Sequence, residues 1–400
     1  MEIRSIEDVD VAGKRVFVRC DFNVPIDSNS HITNNNRIVS ALTTIEYLIN
    51  HNAKVILCSH LGRPKGKFDL KYSLKPVADE LDTLLKLKKR VILTKDVIGN
   101  SAQEAVSNMN NGDVVLLENV RFHAEEEKND GEFASKLALL ADVYVNDAFG
   151  TAHRAHASTE GITRYLPSVC GFLLKREIET MGRALENPER PFVAILGGAK
   201  VSEKINVIVN LLDKVDTLII GGAMAYTFYK ANGYEVGTSL CEDDRIKVAN
   251  DILKLAKDKG VDILIPIDNV IASEFSPDAK SREVNSDSIP DNMMGMDIGQ
   301  RTVELFTDAI KLAKTVIWNG PMGVFEFDRF ATGTQKIAEA VANVNGTTIV
   351  GGGDSVSALK KSGFIDRISH VSTGGGASLE FLEGKKLPGI EGIRNNRLPA

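Results

Sequence analysis

Apolar residues along the chain fall into two alternating rhythms. Short β-branched runs recur at 16–20 (VFVRC), 54–58 (KVILC), 90–94 (RVILT), 114–118 (VVLLE) and 143–146 (VYVN). They return at 192–196 (FVAIL), 217–220 (TLII), 263–267 (ILIPI), 315–318 (TVIW), 347–350 (TTIV) and 370–373 (HVST). Between them the apolar positions take a helical period. Ile38, Ala41, Leu42, Ile45, Leu48 and Ile49 stand at offsets 0, 3, 4, 7, 10 and 11, and Leu74, Val77, Ala78, Leu81, Leu84 and Leu85 repeat those offsets. Such alternation predicts βα units, with strands in a parallel sheet and amphipathic helices crossing over it.

At 400 residues the chain outgrows the ~250–300 residues that one hydrophobic core spans. Near its middle, 171–188 carries Phe172, Leu174, Ile178, Met181 and Leu185 at helical spacing and stops at Asn187-Pro188, with no strand run inside it. The expected fold class is therefore α/β, with two Rossmann-like domains, each a mainly parallel sheet flanked by helices, joined by a hinge helix. The boundaries fall at 1–170 for the first domain, 171–187 for the helix and 188–387 for the second.

Composition narrows the function without choosing it. Apolar residues make up 43% and charged residues 26%, a soluble globular balance that excludes disorder. With 48 basic and 54 acidic residues, a net charge of −6, the bulk offers no general attraction to nucleic acid or to a membrane, so any anion site must be local. The cysteines Cys20, Cys58, Cys170 and Cys241 show no paired spacing, which points to a reducing compartment. The polar start and the lack of a run of ~20 apolar residues predict a cytoplasmic protein.

In open parallel sheets, ligands bind where strands end. In the first half those ends are polar and cationic. Asp21 and Asn23 follow the first run, Arg37 opens the next helix, His60 and Arg63 follow the second run, Arg121 the fourth and Arg154 the fifth. Guanidinium forks match phosphate and carboxylate, so four arginines on one sheet edge suit a small polyanion. The competing reading pairs each with a carboxylate such as Glu125, Glu126 or Glu127 on a solvated face. His153 and His156 invite a metal, but no further ligand spacing completes a site.

Glycine marks the strand ends of the second half: Gly197-Gly198, Gly221-Gly222, Asn319-Gly320-Pro321, Gly351-Gly352-Gly353 and Gly374-Gly375-Gly376. Bare turns opening helices present amides to phosphate, which predicts a nucleotide cradle. Neither the G-x-x-x-x-G-K-[ST] nor the G-x-G-x-x-G pattern stands after a strand. Lys200 and Lys204, four apart, would share a face if a helix starts there, and Asp354 is placed to reach a phosphate-bound magnesium.

The runs RCDFNVP (19–25), NRIVSAL (36–42), SHLGRPKG (59–66), LLENVRFH (116–123), NDAFGTAHRAHAS (146–158), GGAKVSEKI (197–205), GGAMAYTF (221–228), WNGPMGVFE (318–326), GGGDS (351–355), STGGGAS (372–378) and LPGI (387–390) resemble, in order, the phosphoglycerate kinase family. The resemblance implies a glycolytic kinase, a monomer, that moves the acyl phosphate of 1,3-bisphosphoglycerate to ADP, reversibly, giving 3-phosphoglycerate and ATP with Mg2+. It implies that Asp21, Asn23, Arg37, His60, Arg63, Arg121 and Arg154 hold the triose. Lys200, Lys204, Gly295, Asn319, Pro321, Glu326, Gly352, Gly353, Asp354 and Ser355 would serve the nucleotide, with Glu326 on its ribose. Arg37, Lys200, Lys204 and Gly375 would be catalytic, Asp354 would meet the metal, and the segment 388–400 would return to the first domain. Gln300 and Ser355 depart from the family's usual DIGP and GGGDT readings. Both phosphoryl acceptors are already ionised at neutral pH, so no general base is expected. Two rivals are a nicotinamide-dependent dehydrogenase, against which the missing fingerprint speaks, and a non-catalytic bilobal anion- or nucleotide-binding protein.

Overall fold

A computed structural model of the chain describes residues 3–87 and 89–396. The last four residues of the expected returning segment, 397–400, lie outside them. The chain divides into two compact units, Met1–Glu179 with Lys386–Ala400, and Thr180–Lys385.

The strands of the first unit are β1 (Arg15–Arg19), β2 (Lys54–Cys58), β3 (Ile92–Leu93), β4 (Val114–Leu116), β5 (Val143–Asn146) and β6 (Ser168–Cys170). They form one parallel sheet in the order β3-β4-β2-β1-β5-β6. The sheet is buried on both faces, as parallel sheets are. Val16, Val18, Val55 and Leu57 pack with Ile38, Ile45, Leu48, Val77 and Leu81 of the two helices whose period the sequence shows. Phe17, Ile56, Val115 and Tyr144 meet Ala102, Val106, Phe133 and Leu137 on the other side. Because β4, β2, β1 and β5 are neighbours, four polar strand ends lie side by side.

The second unit holds β7 (Phe192–Leu196), β8 (Thr217–Ile220), β9 (Asp262–Leu264), β10 (Asp268–Ala272), β11 (Ser281–Asn285), β12 (Met294–Ile298), β13 (Thr315–Asn319), β14 (Thr347–Gly351) and β15 (His370–Val371). Six of these make a second parallel sheet, β15-β14-β13-β7-β8-β9, and the other three an antiparallel one, β11-β10-β12. Each of the eleven apolar runs overlaps a strand. The four strands beyond them are β6, β10, β11 and β12. β6 is only three residues long, β11 is a polar, largely exposed edge, and β12 carries Gly295 and Asp297, poor strand formers by propensity.

The helix Phe172–Glu186 carries the chain across the division. Its first turn is held by the first unit: the Phe172 amide donates to Thr44 Oγ1 at 3.0 Å, and those of Leu173 and Leu174 donate to Asp147 Oδ1 at 2.9 and 3.2 Å. A Cβ on Gly171 would overlap the Asp147 carboxyl, so only glycine allows this approach. The helix Pro388–Asn395 also sits on the first unit. There the Gly389 amide donates to the Ala152 carbonyl at 2.9 Å, and the Asn396 amide group donates to the carbonyls of Thr163 and Leu166 at 2.6 and 2.9 Å.

Candidate active site

In the first unit the cations of separate strand ends gather around one imidazole. His60 is buried, and burial together with Arg19, Arg121, Arg154 and Arg37 holds it well below the usual histidine range. His156 is pushed down to about 3 by burial and by Arg19, Arg121 and Arg154. Arg37 donates to Asp21 Oδ2 at 2.6 Å. Arg121 donates to the Gly62 carbonyl at 2.9 Å, while the Gly62 amide donates to Asn23 Oδ1 at 2.8 Å. Arg154 Nε donates to His153 Nε2 at 3.3 Å. Asp21, Asn23, Arg37, His60, Arg121 and Arg154 are thus one cluster. Arg63 follows His60 in the loop after β2 but is exposed, and among the described residues no hydrogen bond or ion pair engages its guanidinium.

The carboxylates beside the arginines divide. Glu127 pairs with Arg121 Nε at 3.3 Å and is half exposed, as the solvated-face reading expected. Glu126 corrects that reading, because it is fully buried and its oxygens accept from the hydroxyl and amide of Ser158 at 2.6 and 2.9 Å. Arg19, a buried cation ending β1, was read from the sequence as part of the polar first strand exit but was given no role there. Its signal was present: it shares strand parity with Phe17, so a charge points into an apolar face.

The neighbouring ends of β14, β13, β7 and β8 build the site in the second unit. The glycines there are of two kinds. Gly197, Gly222 and Gly320 let main chain pack on main chain, since a Cβ on Gly197 would overlap the Pro321 carbonyl and one on Gly320 (φ +102°) would overlap Gly197. Gly198, Gly353 and Gly375 face open space. The glycine exits read from the sequence as a cradle thus divide, and the first group serves the fold.

Beside the open glycines lies a cavity of about 330 Å³. Gly198, Gly295, Pro321, Glu326 and Asp354 line it, with Tyr226, Leu240, Phe275, Met322 and Val324 as apolar wall. This wall was not read from the sequence. Gly295 is a glycine because Tyr226 occupies the place of a Cβ. Lys204 is buried and donates from Nζ to Asn319 Oδ1, whose amide group donates to the Gly351 carbonyl at 3.0 Å. Burial lowers the Lys204 ammonium to about 8, against the pull of Glu203, Asp354 and Glu383. Gly352 (φ +93°) lies against Asn319, and the buried Ser355 hydroxyl accepts from the Gly320 amide at 2.6 Å. No helix joins the two lysines, because the helix begins at Ile205. Lys200 is half exposed, 3.9 Å from Glu203, while Lys204 turns inward at the helix cap.

The Asp354 carboxylate opens the helix Gly353–Ser362 and, among the described residues, accepts no hydrogen bond and joins no ion pair. A single oxygen anion beside open amides fits a divalent cation that brings most of its ligands from phosphate and water. Among the described residues no group of three or more His, Cys, Asp or Glu side chains could hold a metal ion alone.

An arginine cluster on one α/β unit and a glycine-bordered cavity on another, with a buried lysine in the same unit, are the features a two-substrate phosphotransferase requires. The family model described as phosphoglycerate kinase matches residues 6–385. Phosphoglycerate kinases of Clostridium botulinum and Clostridium kluyveri are 56% and 55% identical over 395 residues, covering 98% of this chain and of each relative. Among solved structures, phosphoglycerate kinase of Coxiella burnetii aligns with a TM-score of 0.90 at 44% identity, over 98% of this chain and 99% of that one. That of Pyrococcus horikoshii aligns at 0.84 and 34%, over 98% of both. The chain belongs to the phosphoglycerate kinase family and is an enzyme of phosphoryl transfer.

Proposed function

We propose that the first unit binds the triose and the second the nucleotide in the reversible transfer from 1,3-bisphosphoglycerate to ADP. The observation that carries this reading is the cationic set at neighbouring strand ends, with Arg37 held on Asp21, Arg121 on the Gly62 turn that follows His60, and Arg154 on His153. Phosphate and carboxylate are the small anions such forks fit. Asp21 and Asn23 hold Arg37 and the Gly62 turn in place, and Arg63, exposed and uncommitted, swings onto the ligand.

On the second unit, Gly352, Gly353 and Ser355 present or brace the phosphate-binding turn, and the apolar wall of the cavity takes the base with Gly295 and Pro321. Glu326 is assigned to the ribose and Asn319 to the phosphates. Magnesium, held through Asp354, would neutralise phosphate charge. Because the attacking oxygens are already anionic, catalysis reduces to alignment and charge neutralisation. Arg37, Lys200, Lys204 and the amide of Gly375 fill that role, Lys204 by leaving Asn319 for the passing phosphoryl group.

Since the two ligands' groups belong to different units, transfer requires the units to bring them together with water excluded. The helix Phe172–Glu186 is the proposed hinge. One chain supplies both sets of groups, which supports a monomer, and four free cysteines, three of them buried, support a reducing, cytoplasmic setting. The test is a coupled assay of 3-phosphoglycerate with magnesium ATP. Saturable ADP formation that requires both substrates is expected. Ligand binding without turnover would instead favour the non-catalytic reading.

A further inference from the structure

A buried polar chain lies behind the anion cluster. Ser158 Oγ gives its proton to Glu126 Oε1 at 2.6 Å and accepts from Arg19 Nε at 2.8 Å. Arg19 Nη1 donates to the Cys20 carbonyl, and Arg19 Nη2 lies 3.3 Å from His60 Nδ1. Every nitrogen of a guanidinium is a donor, none an acceptor, and the group stays charged in proteins. Facing it, Nδ1 must offer its lone pair, so the ring proton stands on Nε2.

We propose that Arg19 is a positioning residue that fixes His60 as the neutral Nε2–H tautomer, so that the imidazole meets the substrate anion as a directed hydrogen-bond donor and not as a titrating cation. The inference rests on reading this cluster as the phosphoglycerate site. The charges around the ring act in the same sense. Arg19 on β1, Arg37 on its helix, Arg121 after β4 and Arg154 after β5 all oppose a second proton, as does burial. The carboxylates that could draw one in are engaged elsewhere, Asp21 by Arg37 and Glu126 by Ser158. Charge for the ligand then comes from the arginines, and His60 adds direction that does not change with pH.

Long-range proton–nitrogen NMR on nitrogen-labelled protein reads the tautomer directly. In the unsubstituted enzyme His60 is expected to show a bare Nδ1, a protonated Nε2 and no titration between about pH 5.5 and 8, where an ordinary histidine titrates. A protonated Nδ1, or a titration midpoint above about 6, would overturn the proposal without any variant. In Arg19→Met the ring should become a tautomer mixture or begin to titrate. The ratio of that variant's KM for 3-phosphoglycerate to the wild-type value should then change by about threefold or more between pH 6 and 8, with kcat moving less. Arg19→Lys, which also presents only donors, should restore the single tautomer. An Arg19→Met spectrum with the wild-type His60 pattern would remove Arg19 from the role. Adding 3-phosphoglycerate to the wild type should shift the Nε2–H signal. No shift, with the tautomer pattern intact, would refute the placement of the substrate and leave the tautomer assignment standing.

Discussion

The two units close their strand ends by opposite means. In the first, the chemistry proposed to meet a ligand resides in long side chains, Arg37, Arg121 and Arg154, each tied to a neighbour: Arg37 to Asp21, Arg121 to Glu127, Arg154 to His153. In the second, it resides in main chain exposed by missing side chains at Gly198, Gly353 and Gly375. A side-chain site loses function when an atom is removed and a main-chain site when one is added. Substitutions should therefore separate them by direction.

The largest effect is expected on the first unit. Arg37 is partly exposed, its side chain at 37% of its free area, so Arg37→Ala leaves no cavity in the core. If Arg37 neutralises the passing phosphoryl group, turnover should fall on the order of 10³-fold, as for other phosphoryl-stabilising arginines, with thermal unfolding unchanged. Steady-state rates beside a melting curve decide it. Turnover kept within a few-fold would move Arg37 to binding alone.

Next comes a substitution expected to break the fold of the second unit and not its chemistry. Gly320 has φ +102° and its missing Cβ would overlap Gly197, so Gly320→Ala combines backbone strain with a main-chain clash. A loss of roughly 2–4 kcal/mol is expected, followed through the single tryptophan, Trp318, which is buried in β13 of that unit. A stable Gly320→Ala protein would show that the Gly197–Gly320 contact is loosely held.

What could be read in advance follows the same division. The parallel sheets were legible because β1, β2, β7 and β13 are near-continuous apolar runs of the length a doubly covered strand needs. The arginine cluster was legible because charges stand in the loops that follow such runs, as Arg121 does after β4 and Arg154 after β5. The antiparallel β10, β11 and β12 were hidden because one is a polar edge and another contains glycine. At the second site the sequence marks where glycines stand but not which way each faces, so Gly197 and Gly198 look alike until Gly320 is seen packed against the first. The apolar wall of Tyr226, Leu240 and Phe275 comes from three separate segments, and no local pattern joins them.

The units are alike in one respect, and pH can test whether the likeness is functional. Each buries one aspartic acid that burial pushes up to about 7: Asp147, opposed by Thr44 and the Leu173 and Leu174 amides, and Asp297, opposed by the Gly333 and Ile298 amides. In the unfolded chain both would ionise near 4. Below that pH both states are protonated and the folded state keeps its full stability. As pH rises toward 7 the unfolded chain loses protons that the folded one retains, and stability falls by on the order of 1.4 kcal/mol per unit for each group. Above about 7 the loss is complete. The variants should differ. Asp147 Oδ2 has no hydrogen-bond partner, so Asp147→Asn flattens the slope at small expense to the first unit, followed by circular dichroism. Asp297 accepts through both oxygens, from Ile298 at 2.9 Å and Gly333 at 2.7 Å. Asp297→Asn therefore sets an amide against the Gly333 N–H and destabilises the second unit by about 1–3 kcal/mol at every pH, read by Trp318 fluorescence. A wild-type stability flat from about pH 5 to 8 would place both carboxyls in the ordinary range.

The smallest effect sharpens the comparison most. Gly353 opens its helix without a left-handed φ, and a Cβ built there meets nothing within 4 Å. Alanine is compatible with such a backbone and, by restricting the unfolded chain, should leave stability unchanged or raise it by about 0.4–1 kcal/mol. A methyl group would nevertheless stand where the nucleotide phosphate is proposed to rest on the amides. Gly353→Ala should therefore raise the nucleotide KM by about threefold to tenfold, about 1 kcal/mol of lost binding, and leave the KM for 3-phosphoglycerate unchanged. This is the reverse of Gly320→Ala, in which stability falls through a glycine that faces protein. A nucleotide KM unmoved by Gly353→Ala, in a protein as stable as the wild type, would mean that the open glycines face solvent, and the nucleotide would have to be placed against the side chains of the cavity wall alone.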